Sequence, residues 1–114
     1  MGKKREKEKL SFKKAIEYTP DVNKGYKEGL GALGAYSKKI IIPKNATLDG
    51  SLDIDSETAM LYPSDNRWDY AIGCDGKVYY IEVHSAITSE VSTVIKKLKW
   101  LKSLIVQMLS ITFL

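Results

Sequence analysis

The sequence predicts a single α/β domain in which a mixed sheet of about four strands is flanked by an N-terminal helix and a long C-terminal helix. The 114 residues suffice for only one core. The middle of the chain alternates polar and apolar residues between turn signals, and the last quarter repeats apolar residues at helical spacing. With 44% hydrophobic and 28% charged residues, a wholly disordered chain and a disulfide scaffold are both excluded.

The N-terminal part of the chain begins with a charged segment. Residues 1–9 (MGKKREKEK) offer almost no apolar surface, so we expect a disordered tail that leaves residues 10–114 as the domain. The first apolar stripe, Leu10–Tyr18, is short and broken. It ends before Pro20, because the residue that precedes a proline avoids the helical region.

A second helix is predicted after this break, with Asp21 as a plausible N-cap. Its apolar positions, Tyr26, Leu30 and Leu33, recur at three- and four-residue steps, although four glycines in the same stretch weaken the helix. The run GLGALG has no strand before it, which disfavours a nucleotide-binding loop. We expect these glycines to allow close packing on a sheet.

Two segments in the middle of the chain predict extended structure. Lys39–Pro43 (KIIIP) fits either a short strand or a helix exit that leads into an extended connector. Leu48–Asp55 (LDGSLDID) alternates polar and apolar residues, which predicts a half-buried strand with Asp53 and Asp55 on one face. These aspartates are secondary candidates for a metal site, and a polar edge strand explains them equally well.

A β-hairpin is predicted around the dipeptide Asp75-Gly76, which favours a tight turn. Its strands are Trp68–Gly73 (WDYAIG) and Lys77–His84 (KVYYIEVH). The single cysteine, Cys74, cannot form an internal disulfide or a cysteine-rich zinc site. Because no apolar segment follows the basic start, we expect a cytoplasmic protein.

A long helix is predicted from Thr88 or Ser89, as N-cap, to about Leu109. Ile111–Leu114 fits either a last short strand or a continuation of that helix. The apolar run Leu104–Leu114 is too short to span a bilayer, so no membrane partner is expected. The run completes the core or forms an interface, and a homodimer is possible through it.

Charge is segregated along the chain. Residues 1–44 carry 12 Lys/Arg against 5 Asp/Glu, residues 45–90 carry 2 against 9, and residues 91–114 carry 4 lysines and no acid. Basic flanks attract nucleic acids through counterion release, and an acidic centre repels them unless a divalent cation intervenes. Alternatively, the basic segments are solvated faces. The same two interpretations, phosphate contact or solvent face, apply to three lysines of the last helix, Lys96, Lys99 and Lys102.

The predicted hairpin places two acids next to each other. Pairing across its turn brings Asp69, near the start of the first strand, beside Glu82, near the end of the second. Glu82 and His84 are two residues apart and therefore share a face. Taken alone, Glu82 could be a solvated side chain and His84 a hydrogen-bonded structural residue. Together the three groups could hold Mg²⁺ or Mn²⁺ and activate water, which is the chemistry of phosphodiester hydrolysis.

Asp69 in RWDYAIG, the short turn and then Glu82-Val83-His84 before a helix resemble the Asp, Glu-x-Lys signature of the restriction-endonuclease-like PD-(D/E)xK nuclease superfamily. The resemblance covers roughly residues 66–102. The segments GSLDID, NRWDY and EVHSA are also similar to parts of a bacterial protein group whose function is not established.

The resemblance implies a Mg²⁺- or Mn²⁺-dependent nuclease in which Asp69 and Glu82 bind the metal. His84 stands where the family has a lysine and would position or deprotonate water, although an imidazole is a poorer permanent cation. A glutamate of the first helix often assists in the family, and Glu28, in preference to Glu17, is the candidate. The alternative is a catalytically inactive nuclease-like domain that binds nucleic acid or another protein.

Overall fold

The computed structural model describes residues 10–83 and 91–113, with residues 105–113 described by their backbone alone. It confirms the α/β class. In chain order the elements are helix α1 (Phe12–Glu17), a 3₁₀ turn (Pro20–Val22), strand β1 (Tyr26–Lys27), a 3₁₀ segment (Gly31–Lys39), strand β2 (Leu48–Asp53), helix α2 (Ile54–Thr58), strands β3 (Tyr70–Cys74) and β4 (Lys77–Ile81), and helix α3 (Val91–Phe113).

The four described strands form one sheet in the order β1-β2-β3-β4, and every neighbouring pair is antiparallel. The prediction of a mixed sheet was wrong for these strands. Each strand pairs with the next one in the chain, so the direction reverses at every connection. A parallel pair would instead need a crossover that returns the chain to the same end of the sheet.

β3 and β4 form the predicted hairpin, with Tyr70 opposite Ile81 at its open end. Both turn residues have a left-handed φ, 54° at Asp75 and 76° at Gly76. A two-residue type I′ turn requires these values, and they match the twist of the strands. The Asp75 carboxylate also accepts a 2.7 Å hydrogen bond from the Thr47 backbone N–H, which ties the turn to the start of β2.

One face of the sheet carries the hydrophobic core. Leu52 of β2 and Ala71 of β3 are paired neighbours and point to this face. Side chains from α1 and α3 pack on them. The buried cluster consists of Ile16, Val22, Leu52, Ile54, Trp68, Ala71, Leu101 and Leu104. Because α3 contributes two of these residues, the helix belongs to the same core as β2 and β3.

The 3₁₀ segment covers the other face. Ser51 of β2 is fully buried there, and its hydroxyl accepts a 3.0 Å hydrogen bond from the Ala32 N–H. The prediction of one helix through this region was wrong. Tyr26 lies in a strand, and Gly34 adopts φ 55°, which interrupts the helical geometry within the segment. Glycine takes this conformation without steric cost, so the glycines that weakened the predicted helix also end it.

Residues 40–43 are in neither a helix nor a strand and connect the 3₁₀ segment towards β2, which agrees with the interpretation of that run as a helix exit into a connector. The backbone of α3 stays helical to Phe113, so the last residues continue the helix instead of forming a strand. The predicted tail at residues 1–9 and the N-cap of the last helix lie outside the described residues. The predicted homodimer interface stays a prediction. Within the described part of the chain, no helix has the length and apolar character needed to cross a membrane.

Candidate functional site

Asp69 is fixed at the start of β3 by hydrogen bonds from two other segments. Its carbonyl oxygen accepts the backbone N–H groups of Ile54, at 2.9 Å, and Asp55, at 3.3 Å, which begin α2. Its carboxylate Oδ2 accepts the Val83 N–H at 2.9 Å. The first N–H groups of a helix have no partner inside that helix. The contact therefore satisfies the start of α2 and sets the position of Asp69 at the same time.

Glu82 lies beside Asp69 because the next residues inward, Ile81 and Tyr70, are paired across the hairpin. Its side chain is only 7% exposed. The Oε1 atom is buried and has no hydrogen-bond partner among the described residues. A carboxylate in such surroundings is costly unless a positive group compensates it.

Lys97 of α3 is that positive group. Its Nζ donates hydrogen bonds to Oδ1 of Asp69, at 3.3 Å, and to Oε2 of Glu82. The Lys97 and Asp69 side chains are 17% and 20% exposed, so the cluster is largely shielded from water. One ammonium thus bridges two carboxylates from neighbouring strands, and the described groups of this Asp69-Glu82-Lys97 cluster carry a net negative charge when all three are ionised.

The pKa values of Glu82 and Lys97 are both raised, but by different causes. Burial raises the pKa of the Glu82 carboxyl above its ordinary value of 4.5, and the hydrogen bond from Lys97 offsets only part of that effect. Burial lowers the pKa of Lys97, but the hydrogen bond to Glu82 and the charge of Asp69 outweigh burial and raise that pKa above 10.5. Lys97 is therefore charged at neutral pH, and Glu82 is the group whose ionisation the fold resists.

The cluster offers two carboxylates to a cation. No group of three or more His, Cys, Asp or Glu side chains in the described residues is arranged to hold a metal ion. Mg²⁺ does not require such a group, because it commonly binds one or two carboxylates and completes its shell with water and substrate phosphates. Glu82 Oε1, which is buried and has no partner among the described residues, is the type of oxygen that binds a cation. Asp69 and Glu82 thus offer the carboxylate donors that Mg²⁺ and Mn²⁺ take.

The other residues proposed for catalysis are not part of this cluster as described. His84 lies outside the described residues, so its place beside Glu82 stays a prediction. Glu28 is exposed and follows β1, at the opposite edge of the sheet from β4, roughly three strand spacings of about 4.8 Å away. Its selection depended on a helix that is absent at this position. Glu17 is exposed on α1, with Lys14 at 3.9 Å.

The two secondary aspartates have structural partners. Asp53 is the N-cap of α2, where its carboxylate accepts hydrogen bonds from the Ser56 N–H and hydroxyl, both at 2.9 Å. Asp55 accepts a 2.9 Å hydrogen bond from Arg67 Nε. The predicted strand ends at Asp53 because this cap starts a helix there. Strand alternation therefore no longer places the two aspartates on one face.

Lys97 was not among the predicted site residues. It stands four residues before Leu101 and seven before Leu104, both buried, so it belongs to the core-facing stripe of α3. A lysine within an apolar stripe needs an acidic partner, and that pattern was readable in the sequence. The three lysines predicted as phosphate contacts, all exposed, are Lys96, Lys99 and Lys102.

Comparison of the chain with protein-family models, with curated proteins and with solved structures found no match. The functional assignment therefore depends on the geometry of the cluster itself.

Replacing Lys97 by Met removes the only described positive group that pairs with both carboxylates. We expect Lys97→Met to lower the free energy of unfolding by about 2 kcal/mol at neutral pH, somewhat less than the roughly 3–5 kcal/mol for breaking a fully buried pair. Urea denaturation measures the change. Lys96→Met, on the exposed side of the same helix, is the control and should stay within about 0.5 kcal/mol of the wild type. Equal effects of the two substitutions would contradict the cluster.

The raised pKa of Glu82 predicts a pH-dependent stability difference. Between pH 4.5 and the raised pKa, the folded protein binds more protons at this carboxyl than the unfolded chain does. The Glu82 contribution to stability is therefore present at low pH and lost as the pH rises through that window. The Glu82→Gln variant lacks this loss, so its stability relative to the wild type should increase from pH 4.5 towards neutrality. Denaturation midpoints across this range test the sign, and a relative stability that is flat or decreasing would contradict it.

Proposed function

We propose that the protein is a divalent-metal-dependent nuclease that hydrolyses phosphodiester bonds, built on a restriction-endonuclease-like fold. The observation that supports this most strongly is the position of Lys97 Nζ, which contacts Asp69 and Glu82 together. Two carboxylates and a lysine at the end of an acidic hairpin are the residue types that the resemblance to the superfamily requires.

Lys97 is also relevant to the one motif position at which the chain differs from the family. His84 occupies the motif position where a lysine is usual. In the proposed site the permanent cation comes from α3 instead, because the pKa of Lys97 is raised and the ammonium stays charged at neutral pH. The role left for His84 is to accept a proton from water, which a neutral imidazole can do.

Each residue of the cluster has a distinct task in the proposed reaction. Asp69 and Glu82 would hold the metal ion. Bound Mg²⁺ or Mn²⁺ supplies Lewis-acid polarisation of the phosphate and a lowered pKa for coordinated water. Lys97 keeps the two carboxylates together when they hold no cation, and it donates to a phosphate oxygen when substrate is present. A preorganised donor at a developing negative charge stabilises the transition state.

The exposed lysines of α3 support the choice of a polyanionic substrate. They lie on the same helix as Lys97 and face solvent, where they can contact phosphates on either side of the cleaved bond. These residues are Lys96, Lys99 and Lys102.

One observation favours the inactive alternative. Both carboxylate oxygens of Asp69 already have protein partners, since Oδ2 accepts the Val83 N–H and Oδ1 accepts from Lys97. An ion cluster that is satisfied in this way can serve to attach α3 to the hairpin. In that case the domain would act as a nucleic-acid-binding or protein-interaction module without hydrolysis.

Cleavage of a labelled pool of DNA and RNA by the full chain, with Mn²⁺ or Mg²⁺, tests the proposal. We expect cleavage that EDTA abolishes and that falls about 100-fold or more in Asp69→Asn, Glu82→Gln and Lys97→Met, because each loses a metal ligand or the positioned donor. Circular dichroism verifies that each variant is folded.

Lys96→Met is the matched control and should retain most of the activity, since it removes one exposed positive charge and leaves the cluster intact. Cleavage that survives in Asp69→Asn and Glu82→Gln would contradict the proposed site. A wild-type chain that cleaves nothing under these conditions would favour the inactive alternative.

A further inference from the structure

Two cavities lie side by side on the face of the sheet opposite the core. The first has a volume of about 250 Å³ and the second about 260 Å³. Ile40, from the connector, and Ile81, at the end of β4, line both of them, so the two form one groove along β4. Ile72 and Tyr79, paired across the hairpin in register with the buried Ser51, identify this face of the sheet.

The first cavity includes Glu82 of the Asp69-Glu82-Lys97 cluster among its lining residues. Lys39, exposed at the end of the 3₁₀ segment, lines the same cavity. Tyr36 also lines this cavity, is 41% exposed, and makes a tilted ring contact with Tyr70 at a centroid distance of 6.2 Å. A cation and a partly exposed aromatic ring therefore line the same cavity as Glu82.

The second cavity is largely apolar. Ile72, Cys74 and the connector at residues 40–43 line it, and Tyr79 on its rim is 49% exposed. The described acid here is Asp75, whose carboxylate is engaged by the Thr47 N–H. The described cation among the lining residues is Lys39, so a phosphate is better placed at its end of the groove, and a flat uncharged group at the Tyr79 end.

Single-stranded nucleic acid is the ligand that matches both ends of the groove. Its unpaired bases can stack on aromatic side chains and occupy apolar pockets, while its phosphates pair with lysine. A duplex keeps its bases in the interior of the helix and cannot place one in such a groove. Residues 10–44, which supply Tyr36, Lys39 and the connector, carry 7 basic against 3 acidic side chains, and this complements a polyanion.

We propose that this groove binds an unpaired nucleotide of single-stranded DNA or RNA, with a phosphate at Lys39 and its base against Tyr79 and Ile72. The proposal rests on the nuclease function and narrows its substrate class to single strands. Glu82 is the residue that the groove shares with the Asp69-Glu82-Lys97 cluster, so a strand held in the groove would reach the proposed site there.

Fluorescence anisotropy in EDTA tests the groove without any contribution from cleavage. The probes are a labelled oligothymidylate, an oligouridylate of equal length, and a duplex of that length. We expect both single strands to bind more tightly than the duplex. Tyr79→Ala should weaken single-strand binding about tenfold, within the range measured for loss of one base stack, whereas Tyr79→Phe should retain the affinity. Lys39→Gln should weaken binding and reduce its dependence on salt.

Tyr18→Ala is the matched control, because Tyr18 is 53% exposed but lies at the end of α1 and does not line the groove. It should bind as the wild type does. Equal affinity for duplex and single strands, no effect of Tyr79→Ala, or the same loss in Tyr18→Ala would overturn the groove. The outcomes separate the two proposals. Single-strand binding with no cleavage in Mn²⁺ would overturn the nuclease proposal and support the groove proposal. Cleavage without any preference for single strands would support the nuclease proposal and overturn the groove proposal.

Discussion

The ammonium group of Lys97 joins three parts of the fold that are distant in sequence. It contacts Asp69, before β3, and Glu82, after β4, and it extends from the helix that packs on the core through Leu101 and Leu104. Without it, two acids would face each other in a largely shielded position, where desolvation and mutual repulsion both oppose ionisation. The attachment of α3 to the hairpin and the chemistry available at this end of the sheet therefore depend on the same contact.

The carboxylate oxygens that would bind a cation in this cluster are positioned by contacts with several parts of the fold. The backbone of Asp69 is tied to the start of α2, its carboxylate is tied to Val83, and Glu82 contributes a buried oxygen that has no partner in the described part of the chain. Rigid carboxylates are what a cation site needs, and they are also what a structural ion pair needs. The groove on the opposite face gives a reason to prefer the first role, since Lys39 and the partly exposed ring of Tyr36 line the same cavity as Glu82.

Local sequence patterns predicted the hairpin and the adjacency of its acids, because Asp75-Gly76 determines the turn type and the turn determines the register. Local patterns failed where a tertiary partner decides the outcome. Asp53 ends β2 and caps α2, so the predicted strand does not continue to Asp55, since Ser56 offers Asp53 two donors. Lys97 resembles its solvated neighbours in composition, and only its position on the core-facing stripe of α3 distinguishes it. The contact between α3 and the hairpin, which selects Lys97, is not encoded in any single window of the sequence.

Calorimetric titration with Mn²⁺ tests most directly whether the oxygens that Lys97 occupies form a cation site. If they do, the wild type binds Mn²⁺, Asp69→Asn loses the binding, and folded Lys97→Met binds more tightly than the wild type because the competing ammonium is gone, while Lys96→Met is unchanged. If Mn²⁺ binds neither the wild type nor Lys97→Met, or if Asp69→Asn binds it as well as the wild type does, the cluster is only a structural ion pair and the nuclease assignment fails.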